Sequence, residues 1–74
     1  MNYTLEAIIN GKVKKFDKRF SSRQNAINFM FDYLENAYLF NKQVNDEYIL
    51  EGNKHKVEYV CDYYTRFIVT RVSQ

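Results

Sequence analysis

The stretch from Ser21 to Phe40 constrains the fold most, because it has the spacing of an amphipathic helix and contains neither proline nor glycine. Ser21 and Ser22 are favourable N-cap residues, and Gln24 follows Ser21 at the spacing of a capping box. The apolar face and its edges comprise Ala26, Ile27, Phe29, Met30, Phe31, Tyr33, Leu34, Ala37, Tyr38 and Phe40. This face spans roughly 200°, more than a helix lying on one sheet needs. The excess predicts a second cover, either the chain after Phe40 or a partner.

A β-hairpin is predicted before this helix. Two strand-like segments, 3–9 and 13–20, flank Asn10-Gly11, which favours the positive-φ backbone of a two-residue turn. The expected pairs are Ile9–Lys12, Ile8–Val13, Glu6–Lys15 and Leu5–Phe16. The expected core face carries Tyr3, Leu5, Ala7, Ile9, Phe16 and Phe20. Lys14 falls on that same face, so we predict that the second strand lies at a sheet edge, where a long side chain reaches water.

The chain after the helix predicts further strands. Three segments have strand character: Val44–Glu51, Lys56–Cys61 and Phe67–Val72. Gly52-Asn53 marks one turn, and Asp62 favours a second turn through Tyr63 and Tyr64. The order is then ββαβββ, or ββαββ if the last two strands merge. Either order predicts one α+β domain over residues 1–74, an antiparallel sheet with one amphipathic helix packed across a face.

Cysteine usage and hydropathy indicate a compartment. Cys61 is the only cysteine, so an intramolecular disulfide is excluded, and a small secreted domain would normally need several. The N-terminal segment lacks the layout of a signal peptide, and no apolar run approaches the ~18 residues of a membrane span. We therefore expect a cytoplasmic protein with no membrane association.

The sequence offers no recognisable catalytic, cofactor or metal site. Gly11 and Gly52 are isolated, so no phosphate-binding loop precedes the helix. His55 and Cys61 would lie roughly 20 Å apart along one strand, too far for a catalytic pair or a shared metal. Adjacent carboxylates such as Asp46 and Glu47 are typical of a solvated surface. We therefore expect no enzyme activity, no cofactor and no metal.

Charge divides the chain into segments of opposite sign. Residues 1–24 carry six basic and two acidic groups, whereas residues 25–51 carry one basic and five acidic groups. The basic segment predicts one binding hypothesis, nucleic-acid binding through phosphate contacts, by Lys12, Lys14, Lys15, Lys18, Arg19 and Arg23. Two observations oppose it. Lysines commonly protect an edge strand from aggregation, and a pI near 8.7 is modest for a dedicated nucleic-acid binder.

Aromatic residues predict the preferred alternative, a protein–protein contact. Aromatic residues make up 18% of the chain, and they supply large contact areas. The predicted contact residues lie on the helix flank and in the C-terminal hairpin: Phe29, Tyr33, Tyr63, Tyr64 and Arg66. Tyrosine and arginine are frequent at protein hot spots. A homodimer through the helix is compatible with either hypothesis.

Three stretches together resemble small proteins carried by phages and mobile elements of Gram-positive bacteria. They are the Asn-Gly hairpin, the helix entry from Phe20 to Ile27, and the segment from Glu58 to Phe67. The resemblance covers most of the chain and includes no diagnostic motif. It implies a protein partner in a bacterial host, and inhibition of a host factor, as anti-CRISPR and other anti-defence proteins do. It assigns no role to any residue.

Overall fold

In the part of the chain that the structure describes, five strands form one antiparallel sheet and one helix packs across a face of it. The computed structural model describes residues 2–36, 43–49 and 55–72. The elements are β1 (Asn2–Ile9), β2 (Lys12–Phe20), α1 (Arg23–Asn36), β3 (Asp46–Ile49), β4 (Lys56–Asp62) and β5 (Thr65–Val72). The strand order is β2-β1-β5-β4-β3. The predicted α+β class and the ββαβββ order are confirmed, and β2 lies at an edge as expected.

The first hairpin has the predicted turn and most of the predicted register. Asn10 and Gly11 adopt φ values of 52° and 83°. Ile9–Lys12, Ile8–Val13 and Glu6–Lys15 pair as expected, but the register then shifts, and Thr4 faces Arg19. The predicted Leu5–Phe16 pair is therefore wrong, because three residues of β2 oppose one of β1 in an irregular bulge. The register shifts by two residues, so the side chains of β2 keep the same alternation between the two faces of the sheet and Phe20 is buried in the core.

The helix begins one residue later than a capping box at Ser21 would require. Ser22 is the N-cap, since its Oγ accepts a hydrogen bond from the backbone N–H of Asn25 at 3.1 Å. The Ser21 hydroxyl accepts instead from the side-chain amide of Asn25 at 2.9 Å. The side chain of Gln24 donates within the helix, to Asn28. The predicted pairing of Ser21 with Gln24 is therefore wrong.

The buried stripe of α1 is narrower than the apolar face of its sequence. Ala26, Met30 and Leu34 are buried, whereas Phe31 is about half exposed. Three further apolar positions lie outside the described residues: Ala37, Tyr38 and Phe40. The end of the predicted third strand, Leu50 and Glu51, and the turn at Gly52-Asn53 also lie outside them.

One core fills the space between the helix and the sheet. Its sheet residues are Leu5, Ala7, Ile9, Phe20, Val57, Tyr59, Cys61, Phe67 and Val69. All of them point to the side that α1 covers, so Cys61 is a small core residue as expected. The opposite side of the sheet carries Ile8, Val60 and Ile68, all partly exposed. Among the described elements, the helix packs only against the first side.

Candidate functional site

The turns of the two hairpins meet at one end of the sheet. The backbone N–H of Gly11 donates to the carbonyl oxygen of Tyr64 at 3.1 Å. The N–H of Asn10 donates to the hydroxyl of Thr65, which is fully buried, at 3.3 Å. Within the second turn, a carboxylate oxygen of Asp62 accepts from the N–H of Tyr64 at 2.9 Å. These bonds hold both turns in one arrangement, and the predicted turn after Asp62 is confirmed.

Two tyrosine rings project from this end of the molecule. Tyr63 is 80% exposed and Tyr64 is 62% exposed. Their ring centroids lie 4.9 Å apart with an interplanar angle of 87°, an edge-to-face pair. Val13, at the start of β2, is also exposed, at 64%. We call these three side chains, together with Asn10 and Gly11, the turn surface.

Arg66 lies beside the turn surface on the sheet face opposite the helix. Its guanidinium donates to a carboxylate oxygen of Glu58 at 2.9 Å and to the carbonyl oxygen of Tyr63 at 3.1 Å. The cross-strand neighbours of Arg66 are Ile8 on β1 and Val60 on β4. The charge of Arg66 is thus partly neutralised by Glu58, and its guanidinium also helps to hold the turn that carries Tyr63.

The other two predicted contact residues, Phe29 and Tyr33, lie on the helix side of the sheet. Both are partly buried in a cluster of rings with Phe16, Phe20 and Phe67. Phe16 makes edge-to-face contacts with Phe29 at 5.4 Å and with Tyr33 at 5.1 Å between centroids. The structure therefore groups Tyr63, Tyr64 and Arg66 in one region and places Phe29 and Tyr33 in another, where they pack the helix against β2.

The predicted nucleic-acid residues are likewise divided. Five of them lie along the edge strand β2: Lys12, Lys14, Lys15, Lys18 and Arg19. The sixth, Arg23, begins the helix and forms an ion pair at 3.1 Å with Glu47 on β3, the opposite edge strand. Lys15 approaches Glu6 to only 4.0 Å. Lys18 lies over the ring of Phe29, with 4.8 Å between its Nζ and the ring centroid.

We call the five cationic side chains of β2 the basic edge. The turn surface adjoins the basic edge, a proximity that the sequence did not reveal. Asn10 and Thr65, which form a hydrogen bond between the two hairpins, are 55 positions apart in the sequence. A shallow concavity at the start of β2 is lined by Ile9, Asn10, Lys12, Val13 and Lys14. Val13 was missed as a surface residue because its β-branched side chain is typical of a half-buried strand position. Only the strand order brings the tyrosines and the lysines to one region.

The core contains one polar group without a described partner. The side-chain oxygen of Tyr59 is buried and has no hydrogen bond of normal geometry to any described residue. Burial raises the pKa of Tyr59 to about 12; the nearby Glu47 carboxylate adds to the rise and the Arg23 guanidinium opposes it. The hydroxyl is therefore neutral near pH 7 and lies close to the ion pair that joins α1 to β3.

Side chains suited to metal binding do not converge in the part of the chain that the structure describes. No group of three or more His, Cys, Asp or Glu side chains there could hold a metal ion. His55 is exposed in the turn before β4, whereas Cys61 is buried within that strand. Over the same residues, no helix is long and apolar enough to cross a membrane.

The fold and this surface define a class, a small α+β domain with a basic edge strand and a pair of exposed tyrosines beside it. Comparison of the chain with protein-family models, with curated proteins and with solved structures found no match. What the protein does is therefore inferred from the geometry and charge of its surface.

Proposed function

We propose that this protein is a small non-enzymatic module that binds another protein through the turn surface. The observation that carries the proposal is the exposed, edge-to-face pair Tyr63 and Tyr64 on a turn held by hydrogen bonds. Tyrosine side chains provide large amphipathic contact area with few torsions to immobilise, which is why they recur at interface hot spots. Val13 extends the apolar area of the same region.

Pre-organisation of the turn favours binding. The Gly11–Tyr64 bond, the Asp62 cap and the Arg66 contact restrict the backbone that presents both rings. A surface that is already ordered loses less conformational entropy when a partner docks. By contrast, Phe29 and Tyr33 contribute to the packing between α1 and β2. We therefore propose the turn surface, and not Phe29 and Tyr33, as the main surface that contacts the partner.

The partner we propose is a protein of a bacterial host. The small module would bind it in the cytoplasm and inhibit it by occupying a functional part of its surface. This part of the proposal rests on the resemblance to phage and mobile-element proteins. An anti-defence role such as anti-CRISPR activity is one form of it. No cofactor is required, since covering a surface needs only complementary contacts.

A second candidate function is nucleic-acid binding along the basic edge. It is favoured by the placement of five cationic side chains on one strand of nine residues. Such a strand spans about 30 Å, long enough to follow several phosphates of a single strand. The adjacent tyrosines could stack on bases. The Lys15–Glu6 and Arg23–Glu47 ion pairs weigh against it, because they reduce the free positive charge.

One capture experiment separates these candidates. Tagged wild-type protein is incubated with bacterial lysate, with and without nuclease, and the retained protein and nucleic acid are both quantified. We expect one protein in fixed ratio after nuclease treatment, and at least a tenfold loss of it with Y63A/Y64A, the usual scale for two hot-spot residues. Phe31→Ala is the matched control, because it removes an exposed aromatic ring from the helix instead.

Three outcomes would contradict the proposal. Undiminished capture by folded Y63A/Y64A protein would exclude the turn surface. Loss of capture with Phe31→Ala alone would transfer the contact to the helix. Nucleic acid retained without protein, and released steeply as salt rises, would favour the basic edge. Thermal unfolding of each variant establishes that it is folded.

A further inference from the structure

We infer that the outer edge of β2 binds an extended acidic segment of the partner, which adds to the sheet as a sixth strand beside β2. This inference rests on the proposed function, because it describes how the partner would continue from the turn surface along the adjacent strand. Three observations support it: the backbone register of the first hairpin, the length over which β2 pairs without a register shift, and the charge of the β2 side chains.

The register shows which backbone groups of β2 face outward. In a two-residue hairpin, the residues that flank the turn, here Ile9 and Lys12, form a hydrogen-bonded pair. Hydrogen-bonded and non-hydrogen-bonded pairs then alternate along an antiparallel ladder. The backbone groups of Lys12 and Lys14 therefore bond to β1, whereas the N–H and C=O groups of Val13 and Lys15 point away from the sheet. These outward groups can receive another strand.

The usable edge is short and begins at the turn surface. Regular pairing with β1 runs from Lys12 to Lys15 and is then interrupted by the register shift. Bulges commonly end strand pairing at a sheet edge. Four residues span about 13 Å, enough for two outward-facing residues to bond an added strand. The concavity lined by Val13 and its neighbours follows this same stretch.

The side chains of this edge select an acidic strand. Lys12 and Lys14 project on the helix side of the sheet and Lys15 on the other side, and all three are exposed. Within the described residues, the only ion pair among the three is the 4.0 Å approach of Lys15 to Glu6. These lysines repel a second copy of the same edge and attract carboxylates, which favours strand addition by an acidic segment.

The opposite edge strand provides an internal control. β3 is also exposed, but it carries Asp46 and Glu47. An acidic segment that binds through both backbone and charge should add to β2 and be repelled from β3. Binding by backbone hydrogen bonds alone would not distinguish the two edges.

The test is amide hydrogen exchange followed by NMR, with a blocked decapeptide of alternating glutamate and valine as the probe. In the free protein the outward amides of Val13 and Lys15 should exchange fast. At millimolar peptide and low salt we expect both to slow by roughly tenfold or more, because they become hydrogen bonded. The amides of Lys12 and Lys14 should change much less, and those of β3 should not slow.

Two matched variants keep the inference falsifiable. Val13→Pro removes an outward donor that the hairpin ladder does not use, a replacement that an edge strand tolerates, so the variant should fold and lose most peptide binding. K14T/K15T keeps the strand and removes two charges, so peptide affinity should fall several-fold and lose much of its salt dependence. The same peptide N-methylated at every backbone nitrogen has no donor on either edge, so it should bind neither wild type nor variant.

Several results would overturn the inference. They are the absence of peptide binding at low salt, binding without protection of the Val13 and Lys15 amides, and equal protection of β3. Binding of a thymidine 20-mer in place of the peptide would also overturn it and would favour nucleic acid. Failure here with intact capture that depends on Tyr63 and Tyr64 would leave the proposed function standing, whereas loss of that dependence would remove the proposed function itself.

Discussion

Tyr59 is a core residue with a polar end. It lies on the same side of its strand as Val57 and Cys61, and the structure buries its hydroxyl together with its ring. An unpartnered buried hydroxyl costs free energy, of order 1–3 kcal/mol by general experience. The Tyr59 hydroxyl lies close to Glu47 and Arg23, whose ion pair joins β3 to the start of α1.

We predict that Tyr59→Phe is neutral or stabilises the fold by about 1 kcal/mol at pH 7, because it removes a hydroxyl that has no described partner. The measurement is the free energy of unfolding in urea. Destabilisation by more than about 1 kcal/mol would mean that the hydroxyl donates a hydrogen bond to Glu47 in solution.

The same substitution should change the dependence of stability on pH. The pKa of tyrosine is about 10 in an unfolded chain and is raised to about 12 in the fold. The folded state therefore holds this proton more tightly, so the contribution of Tyr59 to stability is constant below about pH 10 and is lost as pH rises towards 12. Wild type should lose more stability than Tyr59→Phe over that window.

At the scale of one element, the start of α1 shows how closely local signals compete. Ser21, Ser22 and Gln24 satisfy the residue preferences for two adjacent capping arrangements. The chain must first complete β2 at Phe20, which is buried in the core. The helix then starts at Arg23, whose guanidinium reaches Glu47. Tertiary contacts therefore decide which serine becomes the cap.

We predict that Ser22→Ala destabilises the protein by about 1 kcal/mol, because it removes the acceptor for the backbone N–H of Asn25. Ser21→Ala is the matched control and should cost clearly less, since its hydroxyl accepts only from an exposed side chain. Thermal unfolding of the two variants gives the comparison. Equal losses, or a larger loss for Ser21→Ala, would place the cap at Ser21 after all.

Across the whole molecule, positive and negative charges lie at opposite edges of one sheet. The basic edge is β2, and the edge with Asp46 and Glu47 is β3. Symmetric pairing of two copies through the same edge would juxtapose like charges, which is unfavourable. The homodimer through the helix that the sequence allowed avoids this repulsion, because it would use the exposed side of α1 around Phe31.

We predict that K14T/K15T self-associates more than wild type at low salt. The substitutions remove two charges that repel a second copy from β2, whose outward backbone groups are exposed. Added salt should likewise increase association of the wild type by screening like charges. Sedimentation velocity over a concentration series measures both effects. Wild-type association that weakens as salt rises would indicate instead that β2 of one copy pairs with β3 of another.

Features of the fold that depend only on neighbouring residues could be predicted from the sequence. Asn10-Gly11 produces a two-residue turn because both residues tolerate positive φ, and period-two alternation specifies which side of β1 and of β4 faces the core. The edge position of β2 followed from Lys14, since a lysine on the core side is tolerated where its stem can reach water.

Features that depend on contacts between distant segments of the chain could be seen only in the folded molecule. Strand order places β5 between β1 and β4, and this joins the turn of Tyr63 and Tyr64 to the hairpin that carries the basic edge. It also separates those tyrosines from Phe29 and Tyr33. No local preference encodes these relations, because several strand orders satisfy the same turns and alternation, and packing of the whole core selects among them.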